Sequence, residues 1–171
     1  ERCYLPMNRL LLELIDRTDG RFRCALSLSG TLIEQLRQWA PAALDSFVAL
    51  AASGNVEFLC ETSQHSLAAV EDCDEFEAQV EIQRATVSEL FGAPASFRNT
   101  ELILDNGICL RVERLGFPCM LGEGVDRVLG WHSPHVPYRP RGCQHIKLLL
   151  RSHALSDDIS FRFSDRRWSC W

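Results

Sequence analysis

Apolar residues recur at helical spacing in Leu10, Leu11, Leu14 and Ile15, a stripe that predicts a helix over 5–15, running out toward Asp19-Gly20. From Phe22 the period changes to two. Phe22, Cys24, Leu26 and Leu28 alternate with Arg23, Ala25 and Ser27, which predicts a strand over 22–29 leading to Ser29-Gly30. Leu32, Leu36 and Trp39 share one side of a helix over 31–39, and Pro41 opens a second helix through Ala51, where its missing N–H costs nothing. Gly54-Asn55 breaks that helix ahead of a short strand, Val56-Glu57-Phe58-Leu59. A long amphipathic helix runs from Glu75 to Phe91 and is stopped by Gly92 and Pro94. A further strand ends in the polar run Arg98-Asn99-Thr100-Glu101. Asn106 to Leu115 reads as a helix closed by Gly116, and 117–121 and 146–150 read as strands. Strand and helix patterns thus alternate through short connections. That predicts the α/β class, with mostly parallel strands under covering helices, in a barrel or an open sheet. An all-helical fold would leave the alternating and β-branched runs unexplained.

Composition narrows this picture. The chain has 171 residues, 46% hydrophobic and 24% charged, enough to bury a core and suited to one domain, and no linker or repeat marks a boundary. A net charge of −5 argues against a nucleic-acid partner, and the short basic runs at Arg139-Pro140-Arg141 and Arg166-Arg167 read as solvated loops. Eight scattered cysteines include no Cys-x-x-Cys pair, which speaks against structural zinc. Cys24, Cys60, Cys109 and Cys119 sit in apolar stretches as small hydrophobes, which points to a reducing, cytoplasmic compartment. No signal peptide and no apolar run of membrane-spanning length is present. The chain opens at Glu1 without a Met and closes on Arg167-Trp168-Ser169-Cys170-Trp171, so a piece of a longer chain is expected.

Chemistry is expected where strands end, since α/β proteins gather their sites beyond the carboxyl ends of parallel strands. Three such ends carry polar clusters: Glu61 and His65 after the strand at 56–59, Arg98 through Glu101, and Glu123 in Gly122-Glu123-Gly124. Side-by-side strands would turn Glu61, His65, Glu101 and Glu123 toward a common cleft. Plainer readings stand beside these. Glu61 could cap the following helix, His65 could be a structural histidine, and Glu123 could mark a turn. Asp157-Asp158 reads as a helix start, and Trp131 as either a core plug or a sugar-stacking platform. His132, His135, His145 and His153 are interrupted by Pro134 and Pro137 and offer no helical His-x-x-x-His, so no metal is expected. No Gly-x-Ser-x-Gly and no phosphate-cradling glycine loop occurs. A carboxylate-rich cleft with aromatics is what remains, the equipment of glycoside cleavage.

At this point the chain resembles the N-terminal catalytic part of glycoside hydrolase family 57, in its α-amylase-like branch. The likeness is carried by Cys3-Tyr4-Leu5-Pro6-Met7-Asn8, by Gly54 through Thr62 with His65-Ser66-Leu67, and by Phe97-Arg98-Asn99-Thr100-Glu101-Leu102-Ile103. It is carried too by Leu155-Ser156-Asp157-Asp158-Ile159 through Phe163-Ser164, and by Glu123-Gly124 through Gly130-Trp131 with Ser133-Pro134. The resemblance implies an incomplete β/α barrel of seven strands. It implies a retaining enzyme acting on α-glucans or maltooligosaccharides, without a cofactor, that uses a Glu nucleophile matching Glu101 and an Asp acid/base. His65 falls in a region that lines sugar subsites; Glu61, Arg98, Glu123 and Trp131 are the other candidate substrate contacts. The family's opening His-Gln-Pro stretch would precede Glu1, and its catalytic Asp would lie beyond Trp171. Residues 1–171 are therefore expected to be one partial catalytic domain, cut at both ends and inactive alone. The chain departs from the branch at Ser63-Gln64, which replaces an aromatic pair, and at Leu104-Asp105, where Tyr-Asn is usual. Those departures leave room for a non-catalytic glucan-binding or regulatory relative. A deacetylase-like metal hydrolase with a similar barrel is a third reading.

Overall fold

The computed structural model describes residues 2–165, which form two compact units dividing after Thr100. Glu1, the basic pair Arg166-Arg167 and the terminal residues Trp168, Cys170 and Trp171 lie outside the described residues.

The first unit runs α1 (Tyr4–Arg17), β1 (Cys24–Ser27), α2 (Gly30–Trp39), α3 (Pro41–Ala52), β2 (Val56–Leu59), the short α4 (Ala68–Glu71), α5 (Cys73–Phe91) and β3 (Ser96–Arg98). β1 pairs with β2 in parallel, Leu26 opposite Phe58. A parallel bridge joins β3 to the end of β2: Ser96 O accepts from Cys60 N–H at 2.9 Å, and Cys60 O accepts from Arg98 N–H at 2.8 Å. Leu36, Phe47, Leu50, Phe58 and Val87 form the buried centre, with Phe91 stacked on Phe58 at a centroid distance of 4.0 Å. α1 lies against α3 through Tyr4 and Phe47 and through a hydrogen bond from buried Asn8 Nδ2 to Ser46 Oγ (2.8 Å).

Two ends fall inside or outside the ranges predicted from periodicity, for local reasons. β1 begins at Cys24 because Phe22 N–H is taken by the Thr18 hydroxyl at 3.0 Å, which makes Phe22 part of the turn closing α1. α5 begins at Cys73 because the Asp72 carboxylate accepts from the N–H groups of Asp74 and Glu75 and so serves as its N-cap. Pro41 does open α3, and Gly92 ends α5 at φ 98°, a conformation that other residues adopt only with strain.

The second unit holds α6 (Asn106–Arg114), β4 (Cys119–Glu123), α7 (Asp126–Leu129), β5 (Lys147–Arg151), α8 (His153–Asp157) and a π-helical turn over Asp158–Arg162. Asp105 caps α6, its Oδ1 accepting from Ile108 N–H at 2.8 Å. β4 and β5 are parallel, Cys119 opposite Lys147 and Glu123 opposite Arg151. β4 therefore reaches past Leu121, because β5 supplies partners for Gly122 and Glu123. The expected helix start at Asp157-Asp158 is met by the π-helical turn, with Asp157 as its N-cap and Asp158 as its first residue. α8 starts after Ser152 and ends at Asp157, while Asp158 serves as an i,i+4 partner for Arg162 at 3.1 Å.

The α/β class with short parallel strands and covering helices thus holds in both units. Among the described residues all seven cysteines are free thiols. No helix among them is long and apolar enough to cross a membrane.

Candidate active site

In the first unit the carboxyl ends of β1, β2 and β3 surround a cavity of about 530 Å³ lined by Ser27, Ser29, Thr31, Glu61, His65 and Arg98. A smaller hollow of about 370 Å³ lies at the opposite ends of β1 and β2, where sheet geometry serves stability more often than chemistry. The larger cavity is organised by Glu61, only 3% exposed. Its Oε1 accepts from Ser27 Oγ at 3.0 Å, and its Oε2 faces His65 Nδ1 at 2.8 Å. An ionised carboxylate only accepts, so the proton of this contact belongs to Nδ1. A buried carboxylate needs such partners, because an unpaired one is strongly disfavoured away from water.

The loop after β2 is held as firmly. His65 takes φ 52°, in the left-handed region, and its N–H donates to Thr62 O at 3.1 Å. The Thr62 hydroxyl accepts from Ser66 N–H at 3.0 Å and shares a buried hydrogen bond with the Thr100 hydroxyl at 3.1 Å. Gln79 on α5 accepts from Ser66 Oγ at 3.0 Å and from Gln64 N–H at 3.3 Å. The start of α2 comes so close that a Cβ at Gly30 would stand 2.7 Å from Ser63 O, and Thr31 N–H donates to that oxygen at 3.2 Å. Only glycine fits there. Next to Glu61 in sequence, the buried Cys60 thiol is pushed up to about 12, first by burial, so it offers no thiolate nucleophile.

The structure therefore brings Glu61, His65 and Arg98 together, and adds Ser27, Ser29 and Thr31. The capping alternative for Glu61 is corrected: the next helix, α4, has no side-chain cap, and the carboxylate is committed to Ser27 and His65. Glu101 is exposed and opens the second unit in a 3₁₀ turn, Thr100–Leu102. Its φ is 53° and that of Leu102 is 56°, two left-handed residues in succession. Non-glycine residues in that region cost on the order of 1–3 kcal/mol each and cluster at functional sites. Glu123 is the last residue of β4 and lies 2.8 Å from Arg151 Nε, an ion pair across the β4–β5 register. Trp131 is 89% exposed and stacked on His132 at 4.0 Å, which removes the core-plug reading and leaves one ring face to solvent. Among the described residues no group of three His, Cys, Asp or Glu side chains could hold a metal ion.

Comparison with known proteins gives a consistent picture. The sequence model of "Glycosyl hydrolase family 57" matches residues 1–169. A Methanocaldococcus jannaschii protein named "Putative alpha-amylase" is 45% identical over 170 residues, 98% of this chain; the chain spans 35% of that protein's length. Among solved structures, 4-alpha-glucanotransferase from Thermococcus litoralis superimposes with a TM-score of 0.80 at 18% identity, covering 93% of this chain and 25% of that one. The GH57-type branching enzyme from Pyrococcus horikoshii gives 0.69 at 16% identity, covering 89% of this chain and 40% of that one. At these identities the structural likeness speaks to the fold.

Proposed function

The chain belongs to glycosyl hydrolase family 57, and from that premise we propose that it supplies the nucleophile part of a retaining glycoside hydrolase or transglycosylase acting on α-glucans. Glu101 is the nucleophile in this reading. Its carboxylate oxygen bonds to the anomeric carbon as the glycosidic C–O bond breaks, and the departing oxygen takes a proton from an Asp acid/base expected beyond residue 171. Water or a sugar hydroxyl then attacks the same carbon, returns its proton to that Asp and frees Glu101. Hydrolysis and transfer differ only in this acceptor. Residues 1–171 are accordingly a partial catalytic domain that does not cleave glucan alone.

The observation that carries the reading is the Ser27–Glu61–His65 arrangement at the strand ends, in a family member whose Glu101 sits in a left-handed turn three residues after Arg98. Glu61 fixes the orientation of the His65 ring, and that ring and the Arg98 guanidinium, both lining the cavity, are the polar groups offered to sugar hydroxyls. Trp131 offers an open ring face for a pyranose, and Glu123 is a further sugar contact. No cofactor enters the chemistry. The free thiols support a reducing, cytoplasmic location.

The test is trapping in the full-length protein with a mechanism-based fluoro-sugar, followed by peptide mass spectrometry. Label on Glu101 is expected; label on another carboxylate would overturn the assignment. A second reading, a glucan-binding relative without catalysis, is favoured by Ser63-Gln64 and Leu104-Asp105 in place of aromatics. It predicts glucan binding in the full-length protein with no label on any residue.

A further inference from the structure

The second unit has a concavity of its own, about 440 Å³, against one face of β5 and beside the end of β4. Its floor is apolar, made by Leu104, Leu148 and Leu150. Its charged lining is unequal. Arg127, Arg139 and Arg141 all border it, and none of the three has an ion-pair partner among the described residues. The two acids that border it, Asp105 and Glu123, are already engaged. Asp105 caps α6 through Ile108 N–H, and Glu123 lies 2.8 Å from Arg151. The loop that carries two of the arginines is fastened at both ends. Tyr138 and Leu148 exchange backbone hydrogen bonds at 2.8 Å in each direction, and Arg141 N–H donates to Asn106 Oδ1 at 2.9 Å. Pro140 between the two is buried. The guanidinium groups therefore project from a fixed backbone. Their charge stands out in a chain whose net charge is −5.

We propose that this concavity is a binding site for a phosphorylated sugar, its phosphate held by Arg127, Arg139 and Arg141 and its ring lying on the leucine floor. The volume falls in the range of about 300–1,000 Å³ typical of small-ligand pockets, and an apolar floor with a few convergent charged groups is the usual make-up of such a site. Guanidinium forks match phosphate oxygens in geometry as well as charge, which three lysines would not do. The C–H face of a pyranose is apolar enough to rest on leucine side chains. The site does not rest on the Glu101 assignment: Glu123 at its border is also a proposed sugar contact, but the three arginines take no part in the cleavage described above.

Calorimetric titration of the full-length protein with glucose 6-phosphate, glucose and inorganic phosphate tests this. Glucose 6-phosphate should bind most tightly, glucose should give no heat, and inorganic phosphate should bind at least tenfold more weakly than the sugar phosphate. The Arg139→Gln/Arg141→Gln double variant should lose at least tenfold in affinity for glucose 6-phosphate, and Arg127→Gln a smaller factor. These positions are exposed, so an unchanged Tm and far-UV spectrum should accompany the loss. Glu101→Gln should leave this affinity unchanged. No binding of glucose 6-phosphate, or binding that ignores the double substitution, overturns the site. Equal affinity for inorganic phosphate overturns the role of the leucine floor, and equal affinity for glucose overturns that of the arginines.

Discussion

His65 donates Nδ1–H to the carboxylate of Glu61 across 2.8 Å, joining a ring with 43% of its surface in solvent to an acid with 3%. The contact spans four residues of loop, not a helical turn. Its strength comes from burial on one side and from the Ser27 hydroxyl, which occupies the other oxygen. Removing the acid strands both partners. Hydrogen bonds to charged groups contribute about 1.5–3 kcal/mol. On the proposed reading, in which His65 contacts glucan, Glu61→Ala in the full-length protein should therefore weaken glucan binding by roughly 10- to 100-fold, whereas Ser27→Ala should weaken it less. Binding isotherms on maltooligosaccharides check both; an Ala variant at 61 that binds normally removes His65 from the proposed sugar contacts.

Glu113 is an acid whose stability contribution has a definite sign with pH. The Ile146 and His145 N–H groups, then that of Gln144, donate to its carboxylate and hold its pKa below the ordinary value. A folded-state value below the unfolded one stabilises the native protein above about pH 4.5, and that contribution fades as pH falls through the lowered value. Glu113→Gln should have a lower Tm than the parent at pH 7, and the gap should close in acid. Thermal melts from pH 7 to pH 3 read this directly.

Thiols give the opposite sign. Burial pushes both Cys60 and Cys109 up to about 12 from 9.0. Their contribution is complete below about pH 9 and is lost as pH climbs toward 12, so alkaline melts should show a falling Tm that a Cys60→Ala/Cys109→Ala background shows less. At pH 8, iodoacetamide should modify exposed Cys3 and Cys73 in the native protein and leave Cys60 and Cys109 untouched until denaturant is added. Peptide mapping counts the sites.

Phe58 packs between Phe47, edge-on at 6.3 Å, and Phe91, stacked at 4.0 Å. Truncation there leaves a cavity that neither ring can fill alone. Phe58→Ala should destabilise by about 3–5 kcal/mol, measured by urea unfolding of the first unit's signal, while Glu57→Ala next door, exposed on the same strand, should change little.

Periodicity carried much of this fold. The range of β2 matches residue for residue, Pro41 begins α3, and Gly92 ends α5, because each is set by neighbours along the chain. Phe22 and Asp72 fell wrong where a side-chain hydroxyl or carboxylate captured backbone N–H groups and moved a boundary. The reach of β4 to Glu123 depended on β5, 24 residues and more away in sequence, and no local pattern could supply that. The candidate site divides in the same way. Glu61 and His65 were legible as polar residues after a strand. Ser27, Ser29 and Thr31 were not, since hydroxyls at a strand end look like its solvent face until the neighbouring strand arrives. Asp157 and Asp158 were legible as the opening of a helical turn, whereas their ion pairs with His153 and Arg162 were not.

Two adjacent left-handed residues, Glu101 and Leu102, have a bearing on engineering. Glycine at either position would relieve backbone energy and raise the melting point, so a selection for heat resistance alone would drift toward it. The protein that emerged would be sturdier, with its carboxylate either gone or free to swing. Thermostability campaigns on this chain should hold that dipeptide fixed and look for their gains elsewhere.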